Sequence, residues 1–221
     1  KVTINAKDGS TGIYSSGGTI TSTSGNNLKI TVTGSSKKGL GVYVENTNAD
    51  LTGADINVVK GEAGVAAYGS GTQLNLTGAT LKYDGDGYAV YSDGNGKINL
   101  TNSKIELRGK SALMEIDLSL PVSSRPITTT NTDVKVFSND VVAINATNLG
   151  TKNLSTLSAL KSQLGVNITA GTEGGKTFNY KELAIENGEI NFDVTSDKAA
   201  ADTTAGGFFF KKVLGQRLRL N

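Results

Sequence analysis

The fold is decided by residues 74–107, which read LNLTGATLKYDGDGYAVYSDGNGKINLTNSKIEL and hold one complete repeat with the start of the next. Three short segments in and before this stretch share one pattern: Gly41-Val42-Tyr43, Ala66-Ala67-Tyr68 and Ala89-Val90-Tyr91. Their tyrosines are 25 and 23 residues apart, and Tyr14 precedes Tyr43 by 29 residues. A period between 20 and 50 residues indicates stacked repeat units such as those of a solenoid.

Two further markers keep the same spacing. A Leu-Thr-Gly-Ala or Leu-Thr-Asn-Ser segment follows each tyrosine, and a third apolar residue follows five positions later. The repeat positions that these markers define are Leu51, Leu76, Leu100, Ile56, Leu81 and Ile105. Apolar and polar residues alternate around them, which is the pattern of a strand with one buried face. Each unit therefore holds about three short strands separated by glycine-rich turns.

These repeats predict an all-β fold, a right-handed parallel β-helix (solenoid). No strand of a unit buries its apolar face alone, so the units must stack around a shared core. At about 25 residues per coil, the chain would form eight or nine three-stranded coils. A propeller blade needs four strands and about 40 residues, which does not fit. We expect Tyr14, Tyr43, Tyr68 and Tyr91 to stack in one column and Asn75 and Asn99 in another.

The repeat is not uniform along the chain. We predict regular coils over residues 1–120, irregular coils over 121–180 and resumed coils over 181–221. Leu154, Leu157, Leu160 and Leu164 form a one-sided stripe, which predicts a short helical insertion near 153–165. Such a helix either covers the side of the rod or projects as a protrusion that binds a partner. Because the sequence opens in what reads as the middle of a strand, we expect both ends to lie within a longer molecule.

Composition narrows the functional classes. The chain has no Cys and no His, which excludes disulfides, thiolate and imidazole metal sites, and catalytic histidine. A net charge of +2 gives no electrostatic reason to expect nucleic-acid binding. No apolar run approaches the roughly 20 residues of a membrane span. We therefore expect no cofactor, no metal, no nucleic-acid partner and no direct insertion into a membrane.

Several segments resemble a known family. The Gly-x-Tyr and Leu-Thr-Gly-Ala units, YKELAIENGEINFD at 180–193 and FFFKKVLGQRLRLN at 208–221 are similar to the passenger arms of type V autotransporters. The resemblance covers most of the chain and is closest to the large outer-membrane adhesins of fusobacteria. It implies a passenger that is exported across the outer membrane and displayed at the cell surface. No binding residue of the family is carried over, since no motif marks one.

The function expected from this resemblance is adhesion, not catalysis. A rigid rod would present binding surfaces to host cells or other bacteria, and its partners would be host glycans, host protein receptors or partner bacteria. The neighbouring coils of the same chain would be its structural partners. Because loops on rigid scaffolds concentrate recognition, we expect binding first in the irregular region 121–180 and second along an outward face.

The main alternative is a carbohydrate-active β-helix enzyme, a polysaccharide lyase or hydrolase. Such a site needs acids that converge, with carboxyl groups of an inverting hydrolase about 6.5–9.5 Å apart. Asp55, Lys82 and Lys104 occupy similar positions in successive units and could share one outward face. We favour a solvated polar face, and three or more convergent acids beside a Lys or Arg would favour the enzyme.

Two charged segments allow weaker alternatives. Residues 84–87 (DGDG), with Asp93 and Asn95, superficially resemble a calcium loop, but the spacing of an EF-hand is not met, so turn formation is the favoured interpretation. Near the end of the chain, a basic cluster alternates with apolar residues and reads as an ordinary outer strand face. It consists of Lys211, Lys212, Arg217 and Arg219.

Overall fold

The computed structural model describes residues 1–22, 28–35, 38–147, 151–154, 162, 166–185, 189–192, 206–210 and 218–220. Most of these residues lie in strands, and one short 3₁₀ helix spans Val122–Ser124. The strands are β1 (Val2–Lys7), β2 (Thr11–Ser15), β3 (Ile20–Ser22), β4 (Leu28–Thr33), β5 (Leu40–Glu45), β6 (Asn48–Leu51), β7 (Asp55–Tyr68), β8 (Gln73–Thr77), β9 (Thr80–Ser92), β10 (Lys97–Thr101), β11 (Lys104–Gly109), β12 (Met114–Asp117), β13 (Ile127–Thr130), β14 (Asp133–Val136), β15 (Val142–Thr147), β16 (Thr151–Leu154), β17 (Asn167–Ala170), β18 (Thr172–Glu173), β19 (Lys176–Thr177), β20 (Tyr180–Ile185), β21 (Glu189–Phe192), β22 (Gly206–Phe210) and β23 (Leu218–Leu220).

The strands stack into three faces. Face A runs β1-β4-β7-β9-β11-β14-β17 and uses the first halves of the long strands β7 and β9. Face B joins β2, β5 and the second halves of β7 and β9, and continues through β12, β15, β20 and β22. Face C consists of β3-β6-β8-β10-β13, with β16-β21-β23 as a separate sheet. Every pairing within the faces is parallel, so the predicted parallel β-solenoid is confirmed. Its right-handed sense stays a prediction, which follows from the usual hand of parallel crossovers.

The predicted number of coils was too high. The described residues form a solenoid of about five turns, and five strands stack without interruption on face C. Two residues that pair in adjacent turns are 25 positions apart in the sequence for Ile56 and Leu81, but 34 positions apart for Val134 and Ile168. Because the later turns contain insertions, each consumes more of the chain than the 25 residues on which the prediction was based.

The prediction of a helical insertion near 153–165 is wrong for the first residues of that range. Asn153 and Leu154 belong to strand β16, where they pair in parallel with Asn191 and Phe192 of β21. Of the positions that follow up to 165, the structure describes Ser162 alone, which is helical. The remaining leucines of the stripe, Leu157, Leu160 and Leu164, lie outside the described residues.

Columns of apolar side chains fill the space between the three faces. Ile30, Ile56, Leu81, Ile105 and Val134 stand in register on face A, and all are buried. The repeat leucines of face C are buried in the same way, and Leu76 pairs directly with Leu100. Removal of these side chains from water is the main driving force for stacking, because no single turn encloses a core.

The corner between faces C and A explains the Leu-Thr-Gly-Ala marker. Its third residue has a left-handed backbone in four successive turns, with φ values of 64° at Gly53, 61° at Gly78, 50° at Asn102 and 48° at Asn131. Gly and Asn are the residues that adopt this conformation most readily. The backbone N–H of Gly78 donates to the carbonyl of Thr101 in the next turn at 2.8 Å, and Gly53 and Asn102 do the same. The marker is therefore a stacked corner.

A second corner lies where β7 and β9 bend from face A to face B. Gly61, Gly85 and Gly109 stand in register there. A Cβ atom on Gly85 would lie 2.4 Å from the carbonyl oxygen of Gly61 and 2.5 Å from the hydroxyl of Tyr83. That hydroxyl lies inside the bend, 2.9 Å from the carbonyl oxygens of both Gly61 and Glu62, and accepts the N–H of Gly87 at 3.1 Å. At this turn the bend leaves no room for a side chain at Gly85, and the buried hydroxyl of Tyr83 bonds the backbone there.

Candidate functional site: an exposed row of tyrosines and the adjoining pocket

Five tyrosine rings form a row on the outer side of face B. We call this row the tyrosine strip. Neighbouring ring centroids are 5.4, 4.8, 5.5 and 5.9 Å apart in the order Tyr14, Tyr43, Tyr68, Tyr91 and Tyr88. The first two pairs are stacked and the last two are tilted by about 40°. The four tyrosines expected to share one column do lie together, and Tyr88 extends their row.

The backbone register within the row differs from the sequence alignment. Tyr43 pairs with Ala66, and Ala66 pairs with Tyr91, whereas Tyr68 pairs with Glu45. The alignment of Tyr68 with Tyr43 was therefore wrong by two residues. A shift of two positions keeps a side chain on the same side of a strand, so the Tyr68 ring still joins the row. The small side chain of Ala66 leaves room for it.

The rings of the tyrosine strip overlap only partly. Centroid separations near 5 Å are those of offset-stacked rings, in which each ring covers part of its neighbour. The remaining ring edges face outward, and Tyr14 is 60% exposed. Burial and the carboxylate of Glu45 raise the pKa of Tyr43, and burial together with Tyr91 raises the pKa of Tyr68 to about 12. Both hydroxyls are therefore neutral at physiological pH and act as donors and as acceptors.

A half-open pocket of about 230 Å³ adjoins the Tyr88 end of the strip. Its polar walls come from Asp86, Tyr88, Lys110 and Asn145, and Ser111 lies among its lining residues. The Tyr88 hydroxyl donates to Glu115 at 3.1 Å and accepts from the Asn145 amide at 3.0 Å. Strand β9, the segment 110–112 between β11 and β12, strand β15 and strand β20 line the pocket together, so it exists only when the coils are stacked.

The Asp86 carboxylate at the rim is already engaged by the protein. Lys38 donates to it at 2.7 Å, and this hydrogen bond lowers the pKa of Asp86. Nearby, Asp93 accepts the backbone N–H groups of Gly69, Asn95 and Gly96 at 2.9 to 3.0 Å. Asp93 therefore organises a turn, whereas residues 84–87, which were predicted to form a turn, lie within strand β9, and Asp86 links two coils through Lys38. Within the part of the chain that the structure describes, no group of three or more acidic side chains is arranged to hold a metal ion.

Asp55, Lys82 and Lys104 all lie on the outward side of face A, as the sequence suggested, but in two different columns. Asp55 and Lys104 lie in one column with Thr80 between them, whereas Lys82 lies in the next column. Lys82 pairs with Glu106 at 3.8 Å, and Arg108 lies 3.9 Å from the same carboxylate. Positive and negative groups alternate, which is the arrangement of a solvated face rather than of converging acids.

Sequence reasoning missed an antiparallel hairpin in the irregular region, β18 and β19. Arg108 anchors it with two hydrogen bonds to Glu173, at 3.0 and 3.2 Å. The same guanidinium lies 4.6 Å from the ring centre of Phe137, which meets Phe178 edge-on. The local signal was Gly174-Gly175, both at positive φ, because two glycines are typical of a two-residue hairpin turn.

Face C carries the expected amide column on its outer side. The Asn99 amide donates to Asn75 at 2.8 Å, and the Thr128 hydroxyl donates to Asn99 at 2.6 Å. Asn75 in turn donates to the carboxylate of Asp50. This ladder links four turns through side chains. Of the basic cluster near the end of the chain, Lys211, Lys212 and Arg217 lie outside the described residues, and Arg219 is placed in β23.

Comparison with protein-family models, curated proteins and solved structures finds no match to this chain. Among the residues that the structure describes, no helix has the length and apolar character needed to cross a membrane.

Proposed function

We propose that this chain is a segment of a bacterial autotransporter adhesin, exported across the outer membrane, that acts as a rigid rod and presents a binding surface at the cell surface. The observation that carries the proposal is the tyrosine strip, an outward row of aromatic rings held by stacked coils. Exposed aromatic groups are enriched where proteins bind partners. The resemblance to autotransporter passengers supports the surface location, and the partners are host cells or other bacteria.

The arrangement of the acids favours adhesion over catalysis. A polysaccharide hydrolase needs two carboxyl groups on either side of the bond that it cleaves. The pocket offers the single carboxylate of Asp86, which Lys38 already binds. Asp55 on face A is accompanied by Lys29 and Thr80 in its own column. This distribution is typical of a rod whose charges maintain solubility.

Binding of the fluorescently labelled full chain to epithelial cells and to partner bacteria tests the proposal. We expect saturable binding that Tyr43→Ala combined with Tyr68→Ala weakens at least tenfold. Lys82→Ala combined with Lys135→Ala on face A is the matched control and should bind like the original chain. Both pairs leave the inward-facing residues intact, and circular dichroism verifies that the strands persist.

Two results would overturn the proposal. The first is the absence of saturable binding to any of these cells. The second is the release of new reducing or unsaturated ends from a panel of polysaccharides, which would identify the chain as a carbohydrate-active enzyme instead.

A further inference from the structure

We infer that the tyrosine strip is a site of oxidative coupling, where hydrogen peroxide and a peroxidase join the rings of Tyr43 and Tyr68 by a carbon–carbon bond. The two residues lie in the neighbouring strands β5 and β7 and are 25 positions apart in the sequence, so the bond links two adjacent turns. This inference rests on the geometry of the strip and is independent of the proposed adhesin function.

The tyrosine strip is the part of this chain that an oxidant reaches first. Thiols and thioethers are common targets of oxidation in proteins. This chain has no cysteine and no tryptophan, and its one methionine, Met114, is 1% exposed. Of its seven tyrosines, Tyr83 and Tyr180 are buried, and the other five form the strip. The accessible side chains that lose an electron most readily are therefore the phenols of the strip.

The closest pair of rings in the strip has a geometry that allows coupling. The ring centroids of Tyr43 and Tyr68 are 4.8 Å apart, and the ring planes are inclined by 24°. Offset rings at this separation bring carbon atoms of the two rings close to van der Waals contact. Both side chains are partly exposed. Rotations of the side chains therefore suffice to join the rings, and the strands keep their pairing.

The rest of the strip extends the area over which an oxidant acts. Tyr14 is 60% exposed, and its ring centroid lies 5.4 Å from that of Tyr43. On the other side, the ring centroid of Tyr91 lies 5.5 Å from that of Tyr68. Rings this close exchange an electron readily, so a radical formed at Tyr14 or Tyr91 passes to the central pair.

The coupling reaction balances with hydrogen peroxide as the oxidant. Each of the two phenols loses its hydroxyl hydrogen as one electron and one proton, which leaves two phenoxyl radicals. A bond forms between the two ring carbons that neighbour the hydroxyl-bearing carbons. The hydrogen atom on each of these carbons leaves as a proton, and each phenoxyl oxygen takes up a proton, which restores both aromatic rings. Hydrogen peroxide accepts the two electrons and the two protons and becomes two molecules of water.

Treatment of the full chain with a peroxidase and hydrogen peroxide tests the inference. After denaturation, trypsin releases Tyr43 in residues 39–60 and Tyr68 in residues 61–82, and neither peptide holds another tyrosine. We expect dityrosine fluorescence, and a main linked product that consists of these two peptides with two hydrogen atoms fewer than their sum. This product should be at least tenfold more abundant than any link that involves the buried Tyr180.

Two controls show where the link forms. An equal mixture of chains with natural nitrogen and with nitrogen-15 separates links within one chain from links between chains, and we expect at least tenfold fewer mixed pairs than matched pairs. Tyr68→Phe should abolish the product, because phenylalanine has no hydroxyl hydrogen to lose. Tyr180→Phe is the matched change at a buried ring and should leave the yield within twofold. Both variants keep the aromatic ring and its packing.

Three results would overturn the inference. They are the absence of dityrosine, a main linked product that lacks Tyr43 or Tyr68, and a majority of mixed pairs, which would place the coupling between separate rods. None of these results bears on the binding of cells, so the adhesin proposal stands or falls by its own experiment.

Discussion

Two buried serines illustrate how the corners of the coils are stabilised. The hydroxyl of Ser103 lies within hydrogen-bond distance of the carbonyls of Leu76 and Thr101, at 3.0 and 3.1 Å, and accepts the N–H of Ala79 at 3.2 Å. The hydroxyl of Ser111 is equally buried but has no hydrogen-bond partner among the described residues. A buried polar group with partners stabilises the fold, whereas one without partners opposes it.

Alanine at these two positions should therefore have opposite effects. We expect Ser103→Ala to lower the free energy of unfolding by about 1–3 kcal/mol, because it leaves the Ala79 N–H without its acceptor. Ser111→Ala should leave it unchanged or raise it. Urea denaturation followed by circular dichroism measures both. Equal destabilisation by the two changes would contradict this account of the corner.

Buried tyrosines make the stability depend on alkaline pH. Burial raises the pKa of Tyr180 from 10.0 to about 12, and its hydroxyl donates to the carbonyl of Ile168 at 3.2 Å. Because the folded pKa exceeds the unfolded one, this contribution is complete below pH 10 and is lost as the pH rises towards 12. Burial also raises the pKa of Tyr68 to about 12, which adds to the same dependence.

We therefore expect the free energy of unfolding to fall between pH 10 and pH 12, with Tyr180 contributing at most about 1.4 kcal/mol per pH unit. Denaturation at pH 9, 10.5 and 11.5 measures this slope. Tyr180→Phe should make the slope shallower. An identical slope in the original chain and in this variant would show that Tyr180 does not titrate as the structure requires.

At the scale of single elements, the corner column at Gly53, Gly78, Asn102 and Asn131 determines where face C ends and face A begins. The four residues share a left-handed backbone, although two are glycine and two are asparagine. Asn102 accepts a hydrogen bond from the Asn131 amide at 3.3 Å, so the asparagines add a side-chain link that glycine lacks. The repeat therefore preserves the left-handed backbone conformation at this position, whereas the residue type changes from glycine to asparagine.

Substitution at this corner should follow backbone preference. Gly78→Asn should change the free energy of unfolding by less than about 0.5 kcal/mol, because asparagine tolerates this φ and no atom lies within 4 Å of the Cβ position. Gly78→Val should lower it by about 1–2 kcal/mol through backbone strain. Thermal denaturation of the two variants tests the difference, and equal effects would refute the role of the left-handed corner.

The elements also show what could be predicted from the sequence. Alternation identifies which side chains face inward, and the leucine and isoleucine markers gave the correct core columns. Alternation does not detect a shift of two residues, which is why Tyr68 was paired with Tyr43 and not with Glu45. The contact of Arg108 with Glu173 joins residues 65 positions apart, and no local pattern indicates such a contact. The pocket was missed for the same reason, because its lining residues come from four successive turns.

For the whole molecule, the three faces have different outer chemistry around one continuous core. Face A carries alternating charges, face B carries the tyrosine strip, and face C carries the amide ladder. Each surface is built from residues about 25 positions apart, so each depends on correct stacking of the turns. Insertions lengthen some coils, so the chain forms fewer turns than its length divided by 25 residues would give. For this reason the predicted count of eight or nine was too high.

The central claim is that successive turns stack in parallel register along one axis. Lys29 lies in one column with Asp55, Thr80, Lys104 and Asp133, and Asn167 follows Asp133. Pulsed electron–electron double resonance between spin labels tests this most directly, since the chain has no cysteine of its own and labels attach only at introduced ones. Lys29→Cys combined with Asp133→Cys should place the two Cα atoms about 19 Å apart, and Lys29→Cys with Asn167→Cys about 24 Å apart. Distances that do not increase by one strand spacing between the two pairs, or that spread broadly, would contradict the stacked rod.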